Sequence, residues 1–180
     1  MRRFLTFYKT PLLLSLTLFV VFTSVRVETN IFAIVLLALG TFLGTFLLDA
    51  EYFIFSYILE PSHLFSQSFT AFIKDKDFSN ALMYAHHNQE SIKDKTLNSV
   101  LFQLALGGLS FFVVSTSATL LVKALLLSGF ANSIYKLIEK YYAHNTDDWF
   151  WAIKNKPTPR QTVFYITFLL VLFAYCVSLL

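Results

Sequence analysis

Residues 31–48 read IFAIVLLALGTFLGTFLL, and this segment decides the fold class of the chain. No charged side chain interrupts it, and about 20 consecutive apolar residues are enough for a helix to cross a bilayer. The whole chain has the same character: 56% of its 180 residues are hydrophobic, 14% are charged, and the mean hydropathy is +0.61. So small a polar fraction cannot cover the surface of a water-soluble globule. The sequence therefore predicts an integral membrane protein.

Further apolar segments extend this prediction to an all-α, polytopic transmembrane helical bundle of about five spans in a single domain, residues 1–180. We predict spans at residues 11–26, 30–49, 97–114, 119–138 and 161–180. The apolar stretch 97–138 is too long for one span, and the polar residues 115–119 divide it into a helical hairpin. We expect the first span to be retained rather than cleaved as a signal peptide, because no small-residue cleavage site follows it.

Two polar segments, residues 60–96 and 139–160, are predicted to be cytoplasmic loops. Apolar residues recur through the first loop at spacings that predict short amphipathic helices at the membrane surface. These residues are Phe69, Phe72, Ile73, Phe78, Leu82 and Tyr84. In the second loop, the aromatic run Trp149–Trp151 is typical of an interfacial anchor.

The basic residues are distributed very unevenly over these segments. With the N-terminus in the cytoplasm, only Arg26 and Lys123 of the 14 Lys and Arg residues lie on the outer side. Because cytoplasmic loops carry an excess of Lys and Arg, this pattern predicts a multi-pass protein of the inner (cytoplasmic) membrane with a cytoplasmic N-terminus. A four-span alternative would move Lys154, Lys156 and Arg160 outside, and it fits less well.

The expected partners follow from the same distribution. No segment clusters basic residues on a soluble face, so we expect no nucleic-acid partner. We expect membrane lipid as a partner, and another membrane protein stays open. Gly40 and Gly44 lie four residues apart and allow another helix to approach closely. We favour a neighbouring helix of the same chain over a dimer partner.

This topology places six polar residues near the cytoplasmic boundary, which makes them a candidate functional site. They are Asp49, Glu51, Asn98, Ser99, Asn132 and Lys136. Carboxylates at this depth are costly unless they are paired or bind a metal. Other enzyme classes lack support, since the sequence contains no Gly-x-Ser-x-Gly, no Walker-type loop and no His-Glu-x-x-His.

Over residues 40–155 the chain resembles the bacterial membrane-bound metal-dependent hydrolases of the YdjM-like type. That family carries a Gly and then Leu-Pro-Asp-x-Asp-His at the end of a span, where this chain has Gly44-Thr-Phe-Leu-Leu-Asp49-Ala-Glu51. The family's Arg-x-x-His-Ser corresponds to Lys95-Thr-Leu-Asn98-Ser99, and its His-x-x-x-Asp to Asn132-Ser-Ile-Tyr-Lys136. The segment Asp148-Trp-Phe-Trp151 is similar to a tail of relatives from small-genome bacteria.

The resemblance implies a divalent-metal hydrolase of a phosphate ester or lipid headgroup, but the ligand set is degenerate. Asp49 and Glu51 would be the metal ligands if a metal is bound. Asn98 and Asn132 stand where the family has imidazoles, and Lys136 replaces a carboxylate. A fixed positive charge close to a divalent cation is repulsive. We therefore predict a metal-free ion pair of Lys136 with Asp49 or Glu51, supported by hydrogen bonds from the two asparagines.

His86 and His87 are weak alternative metal candidates. We expect them to be exposed loop residues, so no cofactor is predicted. The resulting functional hypothesis is a structural, lipid-binding or partner-binding membrane protein that resembles the hydrolases. Two alternatives stay open, namely an active metal-dependent hydrolase and a small pore or transport accessory subunit. The motifs name no particular substrate.

Overall fold

The computed structural model describes residues 2–92 and 95–180, and the side chains from residue 8 onward except that of Glu90. Lys93 and Asp94 of the first polar loop lie outside the described residues, as do the side chains of Arg2 and Arg3. The described chain folds into the helices α1 (Arg2–Arg26), α2 (Ile31–Thr45), α3 (Ala50–Ile54), α4 (Leu64–Lys74), α5 (Phe78–His87), α6 (Val100–Val114), α7 (Leu120–Tyr142) and α8 (Pro159–Ser178). The predicted all-α helical bundle is confirmed.

Several of these helices begin where the sequence offers a side-chain cap. The Asn30 side chain accepts a hydrogen bond from the backbone N–H of Phe32 at 2.9 Å, which starts α2. Thr158 and Gln161 form a reciprocal capping box at α8, with Pro159 in the first helical position. Such caps satisfy N–H groups that have no partner inside the helix. The polar residues between the apolar segments therefore set the helix boundaries.

In the part of the chain that the structure describes, four helical segments are long and apolar enough to cross a membrane: Tyr8–Arg26, Ile31–Leu59, Leu120–Tyr142 and Pro159–Ser178. The second one passes through short 3₁₀ and π turns after α2 and so runs ten residues beyond the predicted end at residue 49. The third predicted span, residues 97–114, forms α6, which has only 15 residues. At about 1.5 Å per residue it is shorter than the roughly 30 Å hydrocarbon core.

Contacts between the helices give their directions. Ser15 of α1 contacts Thr45 of α2, and Tyr8 contacts Asp49 just after α2. Helices α6 and α8 are joined by the contacts Gln103–Tyr165 and Phe111–Tyr175. Arg26 contacts Leu180 where α1 and α8 end. Helices α1, α6 and α8 therefore run in one direction, and α2 and α7 run in the other. This is the alternation that the five-span prediction requires. Helix α7 is central and packs against α1, α2, α6 and α8.

The closest approach in the bundle is between α2 and α7. A Cβ atom built on Gly44 would lie 2.5 Å from the backbone oxygen of Leu125, so only glycine fits there. Gly40 meets the backbone of Leu121 in the same way. The Ser128 hydroxyl of α7 donates to the carbonyl oxygen of Thr41 at 2.7 Å. The prediction that these glycines pack within the chain is confirmed.

The two polar loops also contain packed structure. The first forms α4 and α5, as predicted, and Phe65 and Phe69 are buried against Tyr52 and Phe55. In the second loop the anchor prediction is wrong for Trp149, which is fully buried. Its Nε1 atom donates to Gln103 Oε1 at 3.1 Å, because an indole inside a core needs an acceptor.

Candidate functional site

A cavity of about 360 Å³ lies at the end of the bundle where α2 ends and α6 begins. Four of the six predicted site residues line it: Asp49, Asn98, Asn132 and Lys136. They come from three separate parts of the chain, and the parallel packing of α2 and α7 brings Asp49 and Lys136 to the same level. Glu51 and Ser99 lie next to these residues but do not line the cavity.

An ion pair forms part of the wall of this cavity. Lys136 Nζ lies 3.1 Å from Asp49 Oδ1, and the Tyr8 hydroxyl donates to Asp49 Oδ2 at 2.8 Å. Only 5% of the Asp49 side chain is exposed, against 22% for Lys136. The predicted pairing of Lys136 with a carboxylate is confirmed, and Asp49 is the partner.

The two asparagines contribute differently from the prediction. Asn98 Oδ1 accepts a hydrogen bond from Lys136 Nζ at 3.5 Å, and its amide nitrogen donates to the Leu48 carbonyl oxygen at 3.3 Å. The Asn132 amide instead donates to the Ser128 carbonyl oxygen at 2.9 Å, one turn back in α7. A short polar side chain within a helix readily bonds its own backbone in this way. The predicted support of the ion pair is therefore correct for Asn98 and wrong for Asn132.

Glu51 binds backbone rather than Lys136. It is 1% exposed, and its carboxylate accepts hydrogen bonds from the amides of Thr96, Leu97 and Asn98 at 2.7, 2.6 and 2.9 Å. Ser99 caps α6, accepting from the Phe102 N–H and donating to the Thr96 carbonyl oxygen. These two residues fix the segment before α6 and so determine where the Asn98 side chain lies.

The adjacent histidines end α5 and do not lie in an unstructured loop. His87 is exposed, and its Nδ1 lies 2.9 Å from the Met83 carbonyl oxygen. His86 is half-buried, lines the cavity and makes an edge-on contact with the Tyr8 ring. Burial, followed by the charge of Lys136, lowers the pKa of His86. The exposed-loop prediction is therefore wrong for His86, because it overlooked the helical register of α5.

The donor set around Asp49 does not suit a divalent metal. Both oxygens of this carboxylate are engaged, one of them by the cationic Lys136. The Glu51 oxygens are occupied by backbone N–H groups. Among the residues that the structure describes, no three His, Cys, Asp or Glu side chains come close enough together to hold a metal.

The sequence analysis did not include several residues of the cavity wall. Glu139 and Lys140 follow Lys136 at helical spacing and line the same cavity. They would have been found if the fourth span had been extended beyond residue 138, since α7 continues to Tyr142. Lys95 stands at the first position of the motif over residues 95–99 but was not among the six predicted site residues. Tyr8 carried no comparable signal, because only tertiary packing brings it to Asp49.

Comparison with known proteins yields no relative from which a function could be transferred. No family model, curated protein or solved structure matches this chain. The resemblance to membrane-bound hydrolases therefore depends on the short motifs around Asp49, Asn98 and Lys136.

Proposed function

We propose that this chain is a multi-pass protein of a bacterial inner membrane that binds the polar part of a membrane lipid in the cavity at its cytoplasmic end. In this proposal it is a relative of the membrane-bound hydrolases that has exchanged their metal for an ion pair. The observation that carries the proposal is the contact of Lys136 with Asp49, because it puts a fixed positive charge where a catalytic metal would need its carboxylate. The chain then acts by binding and not by hydrolysis.

The size and position of the cavity support a binding role. Ligand pockets typically measure about 300–1,000 Å³, so 360 Å³ suits a headgroup-sized molecule. Polar side chains at this depth are unfavourable in lipid and are usually kept for function. The walls combine lysines, tyrosines and asparagines, which are hydrogen-bond donors suited to a polar headgroup.

The proposed orientation depends on the distribution of charge. Of the Lys and Arg residues that the structure describes, only Arg26 and Lys123 lie at the end of the bundle opposite to the cavity. Lys123 is buried there, and its Nζ donates to the Val114 carbonyl oxygen at 3.0 Å. The other Lys and Arg residues of the described chain belong to the cavity end, which under the positive-inside rule is the cytoplasmic one.

Metal content tests the binding role against hydrolysis. We expect that the purified protein and its Asp49→Ala variant contain equally little divalent metal by mass spectrometry. Asp147→Ala is the matched control, since it removes an exposed carboxylate that does not line the cavity. A metal present at one ion per chain, retained in Asp147→Ala and lost in Asp49→Ala, would overturn the proposal in favour of an active hydrolase.

Cysteine labelling in intact cells tests the orientation. The native Cys176 is buried and is first replaced by serine. We expect Val27→Cys to react with a membrane-impermeant maleimide from outside, and Lys154→Cys to react only after the cells are opened. Both positions are exposed in the fold. The reverse pattern would refute a cytoplasmic N-terminus.

A further inference from the structure

Lys95 differs from the other lysines of the cavity in its surroundings. It lines the cavity and is only 5% exposed. Lys136 is paired with Asp49 at 3.1 Å, and Lys140 lies 3.7 Å from Asp148. Among the side chains that the structure describes, which exclude those of Glu90, Lys93 and Asp94, no carboxylate lies within 4 Å of the Lys95 ammonium group and no hydrogen bond from it is found. The cavity therefore contains a buried cation that contacts no carboxylate of the described residues.

The position of Lys95 is fixed by its backbone. Its carbonyl oxygen accepts a hydrogen bond from Trp151 Nε1 at 2.8 Å. The next amides along the chain are held by the buried carboxylate of Glu51. A lysine on a free loop would extend its ammonium group into water. Lys95 is instead held by its own carbonyl group and by the amides that follow it, and its side chain forms part of the cavity wall.

A buried ammonium group that contacts no carboxylate is unfavourable by itself. Burial is the largest effect and lowers the pKa of Lys95; the charges of Lys140 and Lys136 lower it too, whereas those of Asp148 and Glu51 raise it. Lysines line the cavity at three positions, while carboxylates line it only at Asp49 and Glu139 among the described residues. The groups that line the cavity therefore carry more positive than negative charge, and an anion bound among them would in turn stabilise protonated Lys95.

We propose that this cavity is a phosphate-binding site in which Lys95 is the principal ligand of a phosphate monoester or phosphodiester group, an inference that rests on the binding role proposed above. A phosphate group offers several acceptor oxygens to the surrounding ammonium and amide donors. Lysine is a common phosphate ligand in proteins. The group could belong to a lipid headgroup or to a small soluble phosphate ester, and both share this chemistry.

Protection of Lys95 from acetylation tests the site in the unaltered protein. The purified protein is treated with an amine-acetylating reagent at neutral pH and analysed by peptide mass spectrometry. Probes are inorganic phosphate, glycerol 3-phosphate, and vesicles of phosphatidylcholine with or without phosphatidylglycerol. We expect a phosphate probe to protect Lys95 and to leave the exposed Lys154 reactive. No protection by any probe, or equal protection of both lysines, would overturn the proposal.

The two sources of phosphate give different patterns. Protection by glycerol 3-phosphate in detergent supports a soluble ester, whereas protection only by vesicles containing phosphatidylglycerol supports a lipid headgroup. The outcome is separate from that of the metal measurement. A metal dependent on Asp49, together with protected Lys95, would overturn the proposed function and leave this site standing. An unprotected Lys95 in a metal-free protein would overturn the phosphate site and leave the proposed function standing.

Variants at Lys95 distinguish a ligand-binding lysine from a structural one. We expect Lys95→Met to weaken binding of the protecting probe by roughly 10- to 100-fold, and Lys95→Arg to retain most of it. Because Lys95→Met removes an unpaired buried charge, its thermal stability without probe should equal or exceed that of the unaltered protein. Lys154→Met is the control for a general loss of charge. Unchanged binding by Lys95→Met would overturn the assignment of Lys95 as the phosphate ligand. If that variant does not fold, the protection experiment on the unaltered protein provides the test.

Discussion

Neutralising Lys136 tests whether its contact with Asp49 stabilises the bundle. Removing one partner of a fully buried ion pair costs about 3–5 kcal/mol. Here the Lys136 side chain is 22% exposed, and the Tyr8 hydroxyl still donates to the remaining carboxylate. We therefore expect Lys136→Met to lower the free energy of unfolding by about 2–3 kcal/mol. Asp49→Asn should cost less, about 1–2 kcal/mol, because the freed ammonium group can reach water.

A double-mutant cycle separates the ion pair from other effects of these changes. The double variant Asp49→Asn/Lys136→Met has no unpaired charge, so its cost should fall about 1–2 kcal/mol short of the sum of the single variants. Reversible unfolding in mixed micelles of sodium dodecyl sulfate and a mild detergent provides the free energies. All four proteins must be compared in the same micelle composition.

The pair of Lys140 and Asp148 provides a control one turn further along α7. These groups lie 3.7 Å apart with 20% and 47% of their side chains exposed, so their coupling energy should stay below about 1 kcal/mol. If the coupling energy of Asp49 with Lys136 is no larger than that of the control pair, the two charges do not form a buried interaction. The description of Asp49 and Lys136 as an ion pair would then be refuted.

Three further predictions concern the packing, the loop before α6 and the pH dependence. Gly44→Ala should destabilise the protein by about 1–3 kcal/mol, because the added Cβ atom meets backbone. Gly108→Ala is the control and should be neutral or stabilising, because the space around it is open. The free energy of unfolding of both variants checks this. Glu51→Gln should cost about 2–4 kcal/mol by weakening charge-assisted bonds to three amides, and faster hydrogen exchange of those amides is the measurement. The pKa of His86 is lowered in the fold, so the unfolded state binds more protons than the folded state in mildly acidic solution. The contribution of His86 to stability is therefore fully present above a pH of about 6.5 and is lost as the pH falls below it. His86→Gln should therefore reduce the loss of stability between neutral and mildly acidic pH, and an equal effect of the exposed His87→Gln would contradict this.

The sequence by itself determined the class of fold and most of its boundaries. Long apolar segments require helices in lipid, since every backbone polar group must be satisfied within its own segment. The polar break after Val114 therefore predicts a hairpin, and the structure has α6 and α7 on either side of it. The glycine spacing in α2 predicts close packing for the same local reason. These features depend on residues near one another in the chain.

The ion pair could be predicted in part. Its two members stand at the ends of apolar segments that run in the same direction, so their depth follows from the topology. Lateral packing then decides which carboxylate meets Lys136. That packing turns Asp49 toward α7 and Glu51 toward the amides of residues 96–98. Asp49 and Glu51 are only two residues apart, and this separation is enough for their side chains to point in different directions.

Only the tertiary structure decided the rest of the cavity. Lys95 belongs to a polar loop in the sequence, yet the hydrogen bonds to Glu51 and Trp151 place it in the wall beside Asn98. Tyr8 reaches Asp49 because α1 packs antiparallel to α2. The opening segment IFAIVLLALGTFLGTFLL predicts that there is a bundle. The contacts of distant residues at the end of that segment decide which charges are paired and which groups form the cavity wall.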